Sequence, residues 1–218
     1  MSSINPHFTF NYSQPEEYRF SHDSIFLARR VFELYRDKNL AELKGLDLCA
    51  GCGVIGLEFL FHCRKEHSTV PHRFDFLEVQ AETYRPHFEK NVVSLGPIAT
   101  QIGFKAQNYA DLLNVSSEDQ YDLILCNPPY FHVGQGTLSP SSFKNRCRFF
   151  LDADFTTLLK GIEHALKPGG RAYILLREQS QHGWSALDEA IKVVSPQIKM
   201  KSLGDIRGTG FIELAKEI

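Results

Sequence analysis

Residues 121–130 of this 218-residue chain read YDLILCNPPY. The first six form a nearly continuous apolar run, which predicts a parallel strand covered by helices on both faces of its sheet. Pro128 and Pro129 cannot donate to a sheet ladder and have a restricted φ, so the chain must leave the sheet as a rigid, extended loop. A loop directly after the carboxyl end of a central strand lies where open α/β sheets bind ligands.

This loop offers three chemical groups to a ligand. Asn127 contributes a side-chain amide, Pro128 a carbonyl without an N–H of its own, and Tyr130 an aromatic ring. Two acceptors beside a stacking surface suit a planar substrate that carries an NH2 group. The alternative is an ordinary Asn-Pro turn, which such dipeptides often mark.

Apolar periodicity predicts that strands and helices alternate along the rest of the chain. The predicted helices are Asp23–Arg36 (with Asp23 as its N-cap), Val54–Lys65, Ala81–Ser94, Asp152–Leu166 and Ser185–Val194. The predicted strands are Leu43–Leu48, Arg73–Leu77, Phe104–Gln107, Tyr121–Cys126, Arg171–Arg177, Ile198–Leu203 and Gly210–Leu214. Residues 1–20 are predicted to form an irregular arm, and Phe131–Arg148 a long loop. This alternation predicts one domain, residues 1–218, built on a doubly wound α/β sheet.

Composition narrows the class of protein. The formal net charge is -2, so contact with nucleic acid would need a local basic patch. Five cysteines, scattered through segments predicted to be buried, are typical of a reduced, cytoplasmic protein. No apolar stretch approaches the roughly 20 residues of a membrane span, and the first residues lack the basic and apolar blocks of a signal peptide. The spacing of histidines and cysteines predicts no metal site.

A glycine turn joins the first predicted strand to its helix: residues 47–56 read DLCAGCGVIG. Gly51 and Gly53 permit a positive φ and the close approach of a ligand, and the following helix begins with unpaired N–H groups. Glu78, which ends the next strand 22 residues beyond Gly56, is placed to bind both hydroxyls of a ribose. Taken alone, the turn fits a dinucleotide equally well, but a dehydrogenase has no use for the Asn127 loop.

Two cysteines of this turn admit another interpretation. Cys49 and Cys52 form a Cys-x-x-Cys motif after a strand, as in thioredoxin-like redox pairs. Gly51 and Gly53 interleave the motif, which favours two small residues that line a tight turn.

The turn Asp47–Gly53, Glu78 and the loop Asn127–Tyr130 together resemble class I S-adenosylmethionine-dependent methyltransferases that modify amino groups conjugated to a π system. Shorter matches extend the resemblance to the bacterial tRNA adenine-N(6) methyltransferases, which modify the adenosine beside the anticodon of valine tRNA. These matches are FSHDS at 20–24, EVQ at 78–80, Phe131 and NRCR at 145–148. The resemblance runs from about Phe20 to the end, and departs from the family at residues 49–53, where relatives more often carry Gly and Thr. It implies a Rossmann-like sheet of seven strands, mostly parallel, with one antiparallel C-terminal strand.

The resemblance also implies roles for individual residues. S-adenosylmethionine would contact Asp47, Gly51, Gly53, Glu78, Asp111 and Asn127. Asp111 would accept from the cofactor's adenine amino group, unless it serves as a helix N-cap instead. Asp23 and Ser24 would line the methionine side, although capping explains them equally well. The catalytic residues would be Asn127, Pro128 and Tyr130: the first two accept the hydrogens of the substrate's amino group, and Tyr130 stacks on the base.

Cations and aromatic residues interleave after the catalytic loop. Lys144, Arg146 and Arg148 lie among Phe143, Phe149 and Phe150, a composition that suits an unpaired nucleotide. With Tyr130 and Phe131, the three cations are the predicted substrate-binding residues. The alternative is a mobile, solvated lid with its phenylalanines packed inward.

We therefore predict an adenine-N(6) methyltransferase that acts on RNA, in particular tRNA, as a monomer. A protein glutamine methyltransferase acting on a release factor would use the same tetrapeptide but usually carries an N-terminal helical domain. Only about 40 residues precede the first predicted strand, too few for such a domain. DNA adenine methylation would need a target-recognition domain. A non-catalytic RNA-binding module would not need the intact glycine turn, Glu78 and Asn127.

Overall fold

A computed structural model describes residues 11–66 and 69–218. Its strands are β1 (Lys44–Leu48), β2 (Arg73–Leu77), β3 (Gln101–Lys105), β4 (Tyr121–Cys126), β5 (Leu166–Leu176), β6 (Ile198–Ile206) and β7 (Thr209–Lys216). Its α-helices are α1 (His22–Tyr35), α2 (Val54–Glu66), α3 (Ala81–Leu95), α4 (Ser142–Arg148), α5 (Phe155–Ala165) and α6 (Ala186–Val193). In the part of the chain so described, no helix is long and apolar enough to cross a bilayer.

The seven strands form one sheet in the order β3-β2-β1-β4-β5-β7-β6. Strands β1 to β5 are parallel, and β7 is antiparallel to both of its neighbours, β5 and β6. The predicted sheet, mostly parallel with one antiparallel strand near the C-terminus, is confirmed. The strand order changes direction between β1 and β4, and the carboxyl ends of strands at such a switch point form the ligand-binding crevice of open α/β sheets.

Helices cover both faces of the sheet. Leu123 and Leu125 pack into the core formed with α1, α2 and α3, whereas Ile124 and Cys126 pack into the core formed with α5 and α6. All four side chains are fully buried. Burial on both faces is the reason for the continuous apolar run in β4.

Two predicted boundaries in the first half of the chain were wrong. Strand β3 covers Gln101–Lys105 instead of Phe104–Gln107, because it pairs with β2 in a register that sets Gln101 opposite Arg73. Helix α1 begins at His22 with Ser21 as its N-cap. Asp23 therefore lies inside the first turn and does not cap the helix.

Three further differences lie around α5. The predicted loop Phe131–Arg148 contains α4, whose N-cap Ser141 accepts a hydrogen bond from the Lys144 N–H. The helix predicted over Asp152–Leu166 begins only at Phe155, where Asp154 is the cap and accepts from the Thr157 N–H. Strand β5 starts at Leu166, five residues before the predicted Arg171, because Leu166 already pairs with Tyr121 at the start of β4, and the register shifts between this pair and Arg171.

The end of the N-terminal arm is anchored to the helices through Glu58, whose side chain is fully buried on α2. The Tyr12 hydroxyl donates to Glu58 Oε2 at 2.6 Å, and Arg29 Nε on α1 donates to Oε1 at 3.1 Å. His62 Nε2 lies 3.2 Å from the same oxygen. Burial alone would raise the pKa of Glu58, but hydrogen bonds from His62, Tyr12 and Arg29 outweigh it and lower the pKa below its ordinary value.

Replacing Glu58 by glutamine should lower the free energy of unfolding at neutral pH by about 1–3 kcal/mol, because hydrogen bonds to a charged group are lost. Since the pKa is lowered in the folded state, this stabilisation is present above the unfolded pKa and disappears as pH falls through the folded pKa. Urea unfolding of the wild-type protein and of Glu58→Gln is measured from about pH 7 down to about pH 3, across the ordinary glutamate pKa. The difference between their free energies of unfolding should become smaller as the pH falls. The matched control is Glu42→Gln on an exposed residue. If the difference in free energy of unfolding stayed constant over this pH range, the lowered pKa of Glu58 would be contradicted.

Candidate active site

A cavity of about 370 Å³ opens at the carboxyl ends of β1, β2 and β4. A cavity of this size suits a small-molecule ligand. We call the part next to the glycine turn and β2 the Glu78 side, and the part next to the ends of β4 and β5 the Asn127 side. The first turn of α1 and the arm close the Asn127 side, where Gln14, Tyr18, Asp23 and Ser24 belong to the wall.

The glycine turn uses backbone conformations that favour glycine. Gly51 has φ 54° and Gly53 has φ 82°, both in the left-handed region. Gly51 lines the cavity, so that its backbone is open to a ligand. Gly53 does not line it; a Cβ there would come within 2.6 Å of the Phe88 ring. Gly53 thus allows the turn to pack against α3, and Gly51 is the glycine placed for ligand contact.

Glu78 is buried in the wall of the cavity at the end of β2. Its Oε2 accepts from the Gly51 N–H and its Oε1 from the Gln80 N–H, each at 2.8 Å. Burial raises the pKa of Glu78, and the two backbone hydrogen bonds offset only part of this effect. Each carboxylate oxygen keeps a further lone pair, so Glu78 is able to accept from two neighbouring hydroxyls of a ligand.

Asp47 lies beneath the turn and outside the cavity wall. Its Oδ2 accepts from the Gly56 N–H in the first turn of α2 at 2.8 Å, which ties the glycine turn to the end of β1. Its Oδ1 is buried and has no hydrogen-bond partner among the described residues. Burial raises the pKa of Asp47 well above its ordinary value. The predicted contact between Asp47 and the cofactor is therefore not seen in the wall, because the carboxylate lies beneath the turn and is fully buried.

The predicted position of Asp111 needs a correction, because this residue does not line the cavity. Its carboxylate accepts from the Asn108 N–H at 3.0 Å, while Asn108 Oδ1 accepts from the Ala110 N–H at 2.9 Å. This capping box starts a short 3-10 helix after β3 and occupies the carboxylate. Gln107 and Asp152 line the cavity instead.

The Asn127 amide is held at both ends. Its Nδ2 donates to Ser24 Oγ on α1 at 3.0 Å, and its Oδ1 accepts from the Tyr130 hydroxyl. Ser24 is buried, and Tyr130 is partly buried. The backbone N–H groups of Tyr130 and Phe131 both donate to the Arg148 carbonyl at 3.0 Å. The loop is therefore a rigid element with one amide orientation, and Asn127, Pro128, Tyr130 and Phe131 all line the cavity.

Helix α4 forms the wall above Glu78. Gln80 Nε2 donates to Cys147 Sγ at 3.2 Å and to the Phe143 carbonyl at 3.4 Å. The Phe143 and Tyr84 rings pack with centroids 5.4 Å apart. The side chains of Phe149 and Phe150 are buried in the core. The three phenylalanines thus pack inward, which agrees with one part of the alternative interpretation of this segment as a lid. Part of the segment is helical, since α4 lies within it.

The three predicted cations have different surroundings. Lys144 does not line the cavity. Arg146 forms an ion pair with Asp152, with Nε 2.9 Å and Nη2 2.7 Å from Oδ1. Arg148 lines the cavity, and its guanidinium carbon lies 5.5 Å from the Phe131 ring centroid and 5.4 Å from that of Phe149. The structure also places Arg177 in the wall. The sequence indicated this place for Arg177 only through its position at the end of a predicted strand.

The five cysteines carry free thiols. A hydrogen bond with Cys126, followed by burial, raises the pKa of Cys49 well above its ordinary value, and burial raises that of Cys52 to about 12. A redox pair requires a lowered thiol pKa, so the turn interpretation of this motif is favoured. Within residues 11–66 and 69–218, no group of three or more His, Cys, Asp or Glu is arranged to hold a metal ion.

The strand order, the glycine turn and the buried glutamate after β2 define a Rossmann-like methyltransferase fold. The chain belongs to the family described as conserved hypothetical protein 95, whose model matches residues 16–139. Among solved structures, the YcgJ protein of Bacillus subtilis shares the fold with a TM-score of 0.60 and 13% identity, over 91% of this chain and 100% of that one. An rRNA methylase of Streptococcus thermophilus matches with a TM-score of 0.50 and 12% identity, over 87% and 95% of the two chains.

Curated relatives match part of the chain. The tRNA1(Val) (adenine(37)-N6)-methyltransferase of Dyadobacter fermentans is 32% identical over 130 residues, which is 60% of this chain and 49% of the relative. The ribosomal RNA large subunit methyltransferase G of Pseudomonas savastanoi pv. phaseolicola is 30% identical over 53% of this chain and 28% of its own length. The match thus spans about half the length of the first relative and about a quarter of the second.

Proposed function

We propose that this protein is an S-adenosylmethionine-dependent methyltransferase that modifies the 6-amino group of adenine in RNA, in particular in tRNA. The observation that carries the proposal is the Asn127 amide, held by Ser24 and Tyr130 in the wall of the cavity that Glu78 also lines. The matched relatives are named as RNA methyltransferases, which supports the same reaction class.

The residues of the Glu78 side fit the cofactor. Glu78 accepts from the two ribose hydroxyls, and Gly51 lets the methionine part approach the backbone. Asp47 and Gly53 hold the turn in shape from below. Gln107 and Asp152 take the place that the sequence assigned to Asp111. Bound S-adenosylmethionine supplies a methyl group activated by its positively charged sulfur.

The residues of the Asn127 side prepare the substrate's amino group. The nitrogen of this group is a poor nucleophile because its lone pair is delocalised into the ring. Asn127 Oδ1 and the Pro128 carbonyl accept its two hydrogens, which favours a pyramidal nitrogen and stabilises the positive charge that develops on it. Ser24 orients the amide by accepting from Nδ2. The Tyr130 ring stacks on the extruded base and aligns it for attack. The proton leaves to water, so that no general base is needed.

Nucleoside analysis provides the direct test. The purified protein is incubated with labelled S-adenosylmethionine and total RNA, and the RNA is digested and separated. We expect the label in N6-methyladenosine of the tRNA fraction, and roughly 100-fold less of it at early times when Asn127→Ala replaces the wild-type protein. In a parallel reaction with purified release factor in place of RNA, label in a glutamine would establish the protein methyltransferase instead. Binding of RNA without any label transfer would indicate a non-catalytic module.

A further inference from the structure

Six charged side chains line the cavity, and most of them have partners. The carboxylates are Asp23, Glu78 and Asp152, and the cations are Arg146, Arg148 and Arg177. Asp152 pairs with Arg146, and Asp23 Oδ1 lies 3.2 Å from Arg207 Nε in the turn between β6 and β7. Glu78 is satisfied by backbone N–H groups. Arg148 and Arg177 remain as lining cations that make no ion pair with any described residue.

Both of these arginines belong to the Asn127 side. Arg177 directly follows β5, three residues beyond Ile174, which pairs with Cys126 at the end of β4. At about 3.3 Å per strand residue, this position is level with the Asn127 loop. The guanidinium carbon of Arg177 lies 5.8 Å from the Tyr130 ring centroid. Arg148 adjoins the same loop, since its carbonyl accepts from Tyr130 and Phe131.

We propose that Arg148 and Arg177 bind backbone phosphates of an unpaired nucleotide whose base stacks on Tyr130. The inference rests on the proposed function and names the part of the substrate, beyond the base, that the site recognises. Guanidinium groups are weakly hydrated and bind phosphate through two parallel hydrogen bonds. A nucleotide within an RNA chain carries a phosphate on each side, which matches two cations beside one stacking ring.

Of the three cations predicted from the sequence, this assignment keeps Arg148 and exchanges Lys144 and Arg146 for Arg177. Arg146 already donates to a carboxylate, and Lys144 lies outside the cavity wall. A glutamine residue has no anion of its own, whereas every nucleotide within an RNA chain has a phosphate for each arginine to bind. The unpaired cations therefore favour a nucleic-acid chain over a protein.

The test measures how RNA affinity depends on salt. The probe is a fluorescent, unmodified anticodon stem-loop of valine tRNA, titrated with the full chain in the presence of S-adenosylhomocysteine. Arg177→Gln and Arg148→Gln should each lower the slope of log K against log salt by roughly 0.7–0.9, because one phosphate contact is lost. The double variant should lose about twice this amount. Arg177→Lys keeps the charge and should keep the slope.

The matched control is Arg30→Gln, on an exposed arginine of α1 that does not line the cavity, and it should leave the slope unchanged. If Arg177→Gln keeps the wild-type slope of log K against log salt, the proposal is overturned, even when RNA binds more weakly. Arg177 would then only hold the Tyr130 ring in position and would not contact a phosphate. An equal loss for Arg30→Gln, or binding of release factor but not of the stem-loop, also overturns it. Altered slopes without methylation of RNA adenine would refute the proposed function and leave the phosphate contacts standing.

Discussion

Replacement of Asn127 by alanine should lower turnover by roughly 100-fold or more and leave the affinity for S-adenosylmethionine nearly unchanged. The Asn127 oxygen contacts the substrate's amino group most strongly when that nitrogen becomes positively charged, so its loss raises the barrier of the chemical step. The amide's hydrogen bonds go to Ser24 and Tyr130, and neither the glycine turn nor Glu78 depends on them. Initial rates with both substrates saturating, together with calorimetric titration of the cofactor, separate the two quantities.

Two controls sharpen this experiment. Tyr130→Phe keeps the stacking ring and removes only the hydroxyl that donates to Asn127 Oδ1. One neutral hydrogen bond is worth about 0.5–1.5 kcal/mol, so this variant should stay within about tenfold of the wild-type rate. Asn114→Ala removes an exposed asparagine that does not line the cavity and should keep full activity. An Asn127→Ala protein that methylates at the wild-type rate would rule out the proposed mechanism.

Replacement of Glu78 by alanine should weaken S-adenosylmethionine binding by about 1–3 kcal/mol, which corresponds to about 5-fold to 150-fold in Kd. The ribose hydroxyls lose a charged acceptor, and the N–H groups of Gly51 and Gln80 lose their partners at the same time. The glycine turn therefore also becomes less well defined. Calorimetry of the wild-type and variant proteins measures the difference, and Glu82→Ala on the exposed face of α3 is the matched control.

The same residue predicts how cofactor binding depends on pH. Burial raises the pKa of Glu78, and the ionised carboxylate is the form that accepts from two hydroxyls. Affinity should therefore fall as pH drops through this raised pKa, at a higher pH than for an ordinary glutamate, and Glu78→Ala should lack this dependence. Tight binding of NAD with none of S-adenosylmethionine would contradict the assignment of the Glu78 side.

The strands and turns of the backbone could be predicted because they depend on residues that are close together in the chain. The apolar run 121–126 is buried on both faces, and the proline pair ends the strand where predicted. The glycine turn and Glu78 meet because β1 and β2 are adjacent parallel strands, so that their carboxyl ends lie at the same edge. The limits of β3 and β5 could not be predicted, since the register with a neighbouring strand sets them.

The sequence alone therefore determined four features: the doubly wound sheet, its glycine turn, the buried glutamate at the end of β2 and the rigid Asn127 loop. Only the tertiary structure decided the partner of each charge. Arg146 meets Asp152, Asp111 closes a capping box, and Arg177 reaches Tyr130. The physical reason is distance: turns and strand patterns arise from neighbours in the chain, whereas an ion pair depends on where separate elements bring their side chains together. Which cations are free to bind a substrate therefore follows from the packing of α4, β5 and the β6–β7 turn around the cavity.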